Sequence, residues 1–288
     1  MRTEAKSPRY QGLDAWPPRE ILEALLERQF LALAAVKGVL PAIEEAAIEA
    51  SRRLARGGRL AYAGAGTSGR LAVLDAVELP PTFGWPEARL LLFLAGGEAA
   101  MTRAVEAAED DRAAGEEAAR KLGEEDVLVA VSASGRTPYT VALARAARRR
   151  GALTLGIANN AESPLLEAVD HPLFLDTGPE VIAGSTRLAA GTAQKATLNL
   201  FSTLVMTRLG RVYDNLMVGM RPTNEKLEQR AIKIVAEAAG VPLKAAQKAL
   251  KAAENDIPLA ILIARGHDKK SALQRLRDAH GQLRGALE

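Results

Sequence analysis

Five short apolar runs, Leu60 to Ala63, Leu90 to Leu94, Val127 to Val131, Leu153 to Ile157 and Leu173 to Leu175, alternate with helix-patterned stretches through the middle of the chain. Unbroken apolar runs of this length suit strands buried on both faces, and their alternation with helices is the rhythm of a parallel sheet with crossover connections. The pattern predicts an α/β fold: a five-stranded parallel sheet flanked by helices, in a Rossmann-like three-layer arrangement. Ahead of it, residues 1 to 16 read as irregular. Pro17 and Pro18 then open a helix towards Val36, and a second helix runs from Pro41 to about Arg56. After Gly184 the pattern is helical to the end, with breaks at Gly210, Gly240 to Pro242, Pro258 and Gly266. Short amphipathic segments from about Thr223 predict a small bundle. The expected division is an N-terminal helical segment over 1–57, a sheet domain over 58–222 and a C-terminal helical subdomain over 223–288.

Composition narrows the chemistry. The 288 residues are 48% hydrophobic, enough for a sizeable core, and contain no cysteine and three histidines, His171, His267 and His280. Disulfides and cysteine nucleophiles are excluded, and no cluster has metal-ligand spacing, so acid–base work falls to carboxylates, Lys or Tyr. Neither a secretory leader nor an apolar run of membrane-spanning length is present, which makes the cytoplasm the expected compartment. The net charge of +3 is a weak pointer to an anionic substrate. The densest basic cluster, Arg145 with Arg148 to Arg150, closes a helix before Gly151, where cations complement the helix dipole. No zinc-finger, RNA-binding or helix-turn-helix signature points to nucleic acid.

Two turns carry the candidate chemistry. After the first strand comes Gly64-Ala65-Gly66-Thr67-Ser68-Gly69 and after the third comes Ser132-Ala133-Ser134-Gly135-Arg136-Thr137, each opening a helix. Glycines let backbone approach a ligand, and hydroxyls and amides at a helix N-terminus suit a phosphate. One such turn reads equally well as an N-cap; two at strand ends of one sheet point to a phosphate cradle. The first is no P-loop, because no Lys follows its glycines.

These turns, with Gly184-Ser185-Thr186-Arg187 and the helix leading to Lys195, resemble a sugar isomerase (SIS) domain. The segments DAVELPPTFG at 75–84, AVEAAEDD at 104–111, EVIAGSTRLAAGTAQKATLNLFST at 180–203 and NLMVGMRPTNEKL at 215–227 resemble the N-acetylmuramic acid 6-phosphate etherase family, in order and over nearly the whole chain. The opening, Thr3-Glu4 then Leu13-Asp14, is similar too. The resemblance implies removal of D-lactate from N-acetylmuramic acid 6-phosphate without metal or cofactor, in a homodimer with sites at the subunit interface. It places a general acid at Glu78 and a general base at Glu109. It places phosphate or sugar contacts at Gly66, Thr67, Ser68, Ser132, Ser134, Gly135, Thr137, Ser185 and Lys195. The chain departs from the family at Val77 and Leu79, where Ser and Cys are common, and at Ala108, where Gly is usual. These changes make the surroundings of both glutamates more apolar.

The substrate sets what the carboxylates must do. In the open-chain aldehyde the carbonyl acidifies the proton on carbon 2, and the lactyl ether on carbon 3 is the leaving group. Elimination followed by hydration needs one base and one acid with separated pKa values. Glu109 also reads as one charge on a solvated, acidic, Ala-rich helix, with Glu106 and Asp110 beside it. Glu78 ends a helix against Leu79, Pro80 and Pro81, an unfavourable place for a carboxylate, which either a functional role or a local ion pair would explain. Eight helical steps from Arg70 put Glu78 roughly 12 Å from the first turn. That exceeds a hexose phosphate, so either the second turn holds the anion or a second subunit completes the site. Lower-ranked candidates have equally plain readings: Arg136 and Lys195 as surface charges, Ser185, Thr186 and Arg187 as a helix cap, and Asn224 and Glu225 behind a Thr223 cap. The same cradle would serve an aldose–ketose isomerase or a non-catalytic sugar-phosphate sensor, neither of which would release lactate.

Overall fold

The computed structural model describes residues 1–288. Three short 3-10 turns precede α1 (Pro18–Gly38) and α2 (Leu40–Ala55). The strands are β1 (Leu60–Gly64), β2 (Leu90–Leu94), β3 (Val127–Val131), β4 (Leu153–Ala158) and β5 (His171–Phe174). Between β1 and β2 lie α3 (Gly66–Val77) and α4 (Leu79–Phe83), and between β2 and β3 lie α5 (Ala99–Thr102) and α6 (Arg112–Ala119). α7 (Pro138–Arg149) joins β3 to β4, and α8 (Pro164–Ala168) joins β4 to β5. α9 (Ala189–Arg208) follows, then α10 (Glu225–Ala239), α11 (Leu243–Ala252), α12 (Ile257–Ala264), α13 (Lys269–Asp278) and α14 (Leu283–Leu287).

The sheet is wholly parallel with strand order β2-β1-β3-β4-β5. Every residue of β1, β3 and β4 is buried, so helices cover both faces, as the unbroken apolar runs require. Ala61, Ala63, Leu128 and Ala130 face a core shared with Leu143, Ala144 and Leu165, while on the opposite face Tyr62 donates to Asp75 of α3. The chain leaves β1 towards β2 and then crosses back to β3, which makes the β1–β3 boundary the switch point where ligands settle in such sheets. Both Ser/Thr turns issue from it.

Contacts group the chain into two compact units, 1–76 with 89–202, and 77–88 with 203–288. The hydropathy pattern places its boundaries after 57 and 222. The second unit is helical, its core built from Val218, Val235, Leu250, Leu262 and Leu283. Asp256 caps α12 and Pro258 sits in its first turn, where a missing N–H costs nothing, so the expected break at Pro258 falls just ahead of Ile257. No helix is long and apolar enough to cross a membrane.

Candidate functional site at the sheet switch point

The turn after β1 is shaped by glycine. A Cβ on Gly64 would stand 2.7 Å from the Gly69 Cα, so strand and helix touch backbone to backbone. Gly66 is left-handed (φ 52) with open space where a side chain would be, which keeps the helix N-terminus accessible. The first-turn amides of α3 have no intrahelical partners, and Thr67 and Ser68 supply hydroxyls beside them.

Ser68 ties the two turns together, its Oγ accepting from the Ala133 N–H at 3.3 Å. In the second turn the Ser132 Oγ lies 2.9 Å from the Thr137 Oγ1 and 3.3 Å from the Ser134 Oγ, and accepts from the Gly135 N–H at 3.1 Å. Ser134 Oγ accepts in turn from the Arg136 N–H. The result is a row of rotatable hydroxyls beside the N-terminal ends of two helices, an arrangement able to donate several hydrogen bonds to one oxyanion. Gly135 is left-handed (φ 65), and a Cβ there would collide with Ser163, so only glycine fits.

The third motif arrives at the same edge. A Cβ on Gly191 would lie 3.3 Å from the Thr186 carbonyl and 3.9 Å from the Thr67 Cγ2. Ser185 and Thr186 are half-buried in this loop, whereas Lys195, Arg187 and Arg136 are exposed. Glu180, 1% exposed, accepts from the Ala189 and Ala190 N–H groups at 3.0 and 2.8 Å. The N-terminus of α9 therefore already holds an internal carboxylate, which leaves α3 and α7 as the helix ends free for an external anion.

Glu109 differs from the local structure expected of it, and Glu78 ends a helix as expected but also opens a second one. Glu109 does not lie on a helix face: it is on a 3-10 turn, Ala108–Asp110, entered through left-handed Ala107 (φ 58). Asp111 caps the next helix by accepting from the Ala114 N–H, so regular helix starts only at Arg112. Glu78 is not simply a helix terminus. It sits in helical backbone (φ −83, ψ −14) between the end of α3 and the Pro-led start of α4, where one dipole disfavours a carboxylate and the other favours it. Glu78 belongs to the second unit and Glu109 to the first, and each is exposed on the single chain. Asn224 rather than Thr223 caps α10, accepting from the Leu227 N–H.

A buried polar support beneath the second turn escaped the sequence reading. Asn160 donates to the Ala133 carbonyl (2.9 Å) and the Thr3 Oγ1 (3.0 Å) and accepts from the Arg2 N–H, while the Asn159 Oδ1 accepts from Gln194 of α9. Thr3 is fully buried and its carbonyl accepts from Gly184, so the N-terminal turn braces two loops. The signal was the Asn-Asn pair at the carboxyl end of a buried strand.

Strand order, switch-point turns and covering helices define an SIS-domain protein. Family models match accordingly, the glucokinase regulatory protein N-terminal SIS domain over residues 42–147 and the SIS domain over 99–204. A Bacteroides fragilis structure described as a phosphosugar isomerase involved in capsule formation shares the fold, with a TM-score of 0.52 at 23% identity over 68% of this chain and 94% of that one. N-acetylmuramic acid 6-phosphate etherases are similar over the full length. That of Deinococcus radiodurans is 51% identical across 99% of this chain and 95% of its own, and that of Streptomyces avermitilis is 46% identical across 100% and 93%. The chain belongs to the N-acetylmuramic acid 6-phosphate etherase family.

Proposed function

We propose that the protein cleaves the lactyl ether of N-acetylmuramic acid 6-phosphate, eliminating D-lactate and adding water to give N-acetylglucosamine 6-phosphate. The observation that carries this reading is the pair of interlocked Ser/Thr turns at the switch point of a chain related over its whole length to the etherases. Gly66, Thr67, Ser68, Ser132, Ser134, Gly135 and Thr137 hold the phosphate. Ser185 and Lys195 add contacts from the third motif.

Glu109 takes the carbon 2 proton of the open-chain sugar, and Glu78 gives a proton to the ether oxygen as the bond to carbon 3 breaks. Water then adds to the unsaturated aldehyde at carbon 3, so the overall change consumes one water and is redox-neutral. The reaction balances without metal or cofactor. The working form is a homodimer with sites at the subunit interface, and the exposed apolar stripe of α1, Leu22 (66%), Leu26 (56%), Phe30 (65%) and Leu33 (47%), supports burial against a second copy. A membrane-impermeant phosphosugar fits a cytoplasmic enzyme.

Incubating purified protein with N-acetylmuramic acid 6-phosphate and measuring D-lactate enzymatically tests the reading. Stoichiometric lactate release is expected. Binding of the phosphosugar without lactate release overturns it.

A further inference from the structure

The helical unit holds a cavity of about 440 Å³ whose walls include Arg211, Arg221, Thr223, Asn255 and Asp256. None of these belongs to the Ser/Thr turns or is one of the two glutamates. Arg211 is locked by backbone: the Gly219 N–H donates to its carbonyl at 3.0 Å, and a Cβ on Gly219 would stand 3.0 Å from the Arg211 Cβ. The Gly219 backbone thus packs against the base of the Arg211 side chain, with its Cδ 3.1 Å from that Cβ position. The Arg211 Nε is buried and has no hydrogen-bond partner.

The acidic groups facing the cavity are already engaged. Asp256 accepts from the Leu259 N–H at 2.8 Å as the cap of α12, and Glu254 pairs with Lys269 at 2.5 Å. Burial and the like charge of Arg221 push the Arg211 guanidinium's pKa down, only partly opposed by Asp256. Two guanidiniums sharing a concavity with one unsatisfied buried donor is costly unless an anion completes it. The planar forks of arginine match the paired oxygens of phosphate or carboxylate, and the Asn255 amide and Thr223 hydroxyl can donate further bonds.

We propose that this cavity is a second anion site, in which Arg211 and Arg221 together clamp a small oxyanion, either a phosphate group or a carboxylate. None of its residues is among the phosphate contacts assigned above, and it does not depend on them.

Equilibrium dialysis of the full-length protein at low ionic strength, with labelled inorganic phosphate and separately with labelled D-lactate, distinguishes the two sources. For at least one anion, a binding component is expected that Arg221→Gln weakens at least tenfold and that Ser132→Ala/Ser134→Ala leaves intact. Arg211→Lys, which keeps the charge but loses the fork, is expected to weaken the same component. Arg221 is exposed, so its replacement tests binding without disturbing the core, and an unchanged melting temperature checks this. If neither anion shows a binding component that Arg221→Gln weakens, the site does not exist.

Discussion

At the scale of single residues, the proposed mechanism makes the two carboxylates separable. Glu109→Gln and Glu78→Gln are each expected to lower D-lactate release by about 10²–10⁴-fold, the usual worth of a positioned acid or base, with phosphosugar affinity nearly unchanged. Glu78→Gln alone should still exchange the carbon 2 proton with deuterated solvent, as NMR would show. Other residues act through stability. Asp75 is buried and accepts from Tyr62 (2.8 Å), Asn199 (2.6 Å) and Ser202 (3.1 Å), and burial followed by the nearby Asp75 charge raises the Tyr62 pKa well above its usual value. Tyr62→Phe removes one donor and is expected to cost about 1–2 kcal/mol in urea unfolding. Asp126 is a titratable case. Burial raises its pKa, but hydrogen bonds from the Arg59 side chain and backbone and from Gly123 outweigh this and hold it below the usual aspartate range. A carboxylate depressed in the folded state adds stability that is complete above its unfolded pKa and lost as pH falls through the folded one. Asp126→Asn should therefore flatten the stability profile below about pH 4, measured by denaturant midpoints.

At the scale of elements, close approach and capping decide what the motifs can do. Gly64→Ala would drive a Cβ into Gly69 backbone, and about 1–3 kcal/mol of destabilisation is expected together with weaker phosphosugar binding, because strand and helix must part. Glu180→Ala would strand the Ala189 and Ala190 amides at the start of α9, with an expected loss of about 1–3 kcal/mol that Glu180→Gln partly restores. β1, β3 and β4 were legible because burial on both faces favours apolar residues, whereas the half-exposed edge strand β2 was marked only by its apolar run. The environment of Glu109 was not legible. An Ala-rich acidic stretch reads as helix by propensity, yet the cap at Asp111 and the left-handed Ala107 fix a turn instead. Glu78 was half legible: its helix end was visible, but not the second helix that starts on the next residue.

At the scale of the whole molecule, the proposed dimer predicts that charge on the α1 stripe separates the subunits. Phe30→Glu with Leu26→Glu is expected to shift the protein from dimer to monomer in sedimentation equilibrium and, as the proposed sites are shared between subunits, to reduce lactate release as well. What the sequence determined by itself is the class of fold, the order of strands along the chain and the presence of two Gly/Ser/Thr turns, since periodicity, glycine and hydroxyl placement are local properties of the polymer. The family resemblance was equally readable, because its motifs are contiguous. Tertiary structure decided which turns become neighbours, joining Ser68 to Ala133 across 65 positions of chain. It also assigned the buried asparagines to a supporting role and grouped residues 77–88 with the C-terminal helices. Such pairings depend on how crossovers fold the sheet back on itself, and packing between distant segments leaves no periodic trace in the sequence.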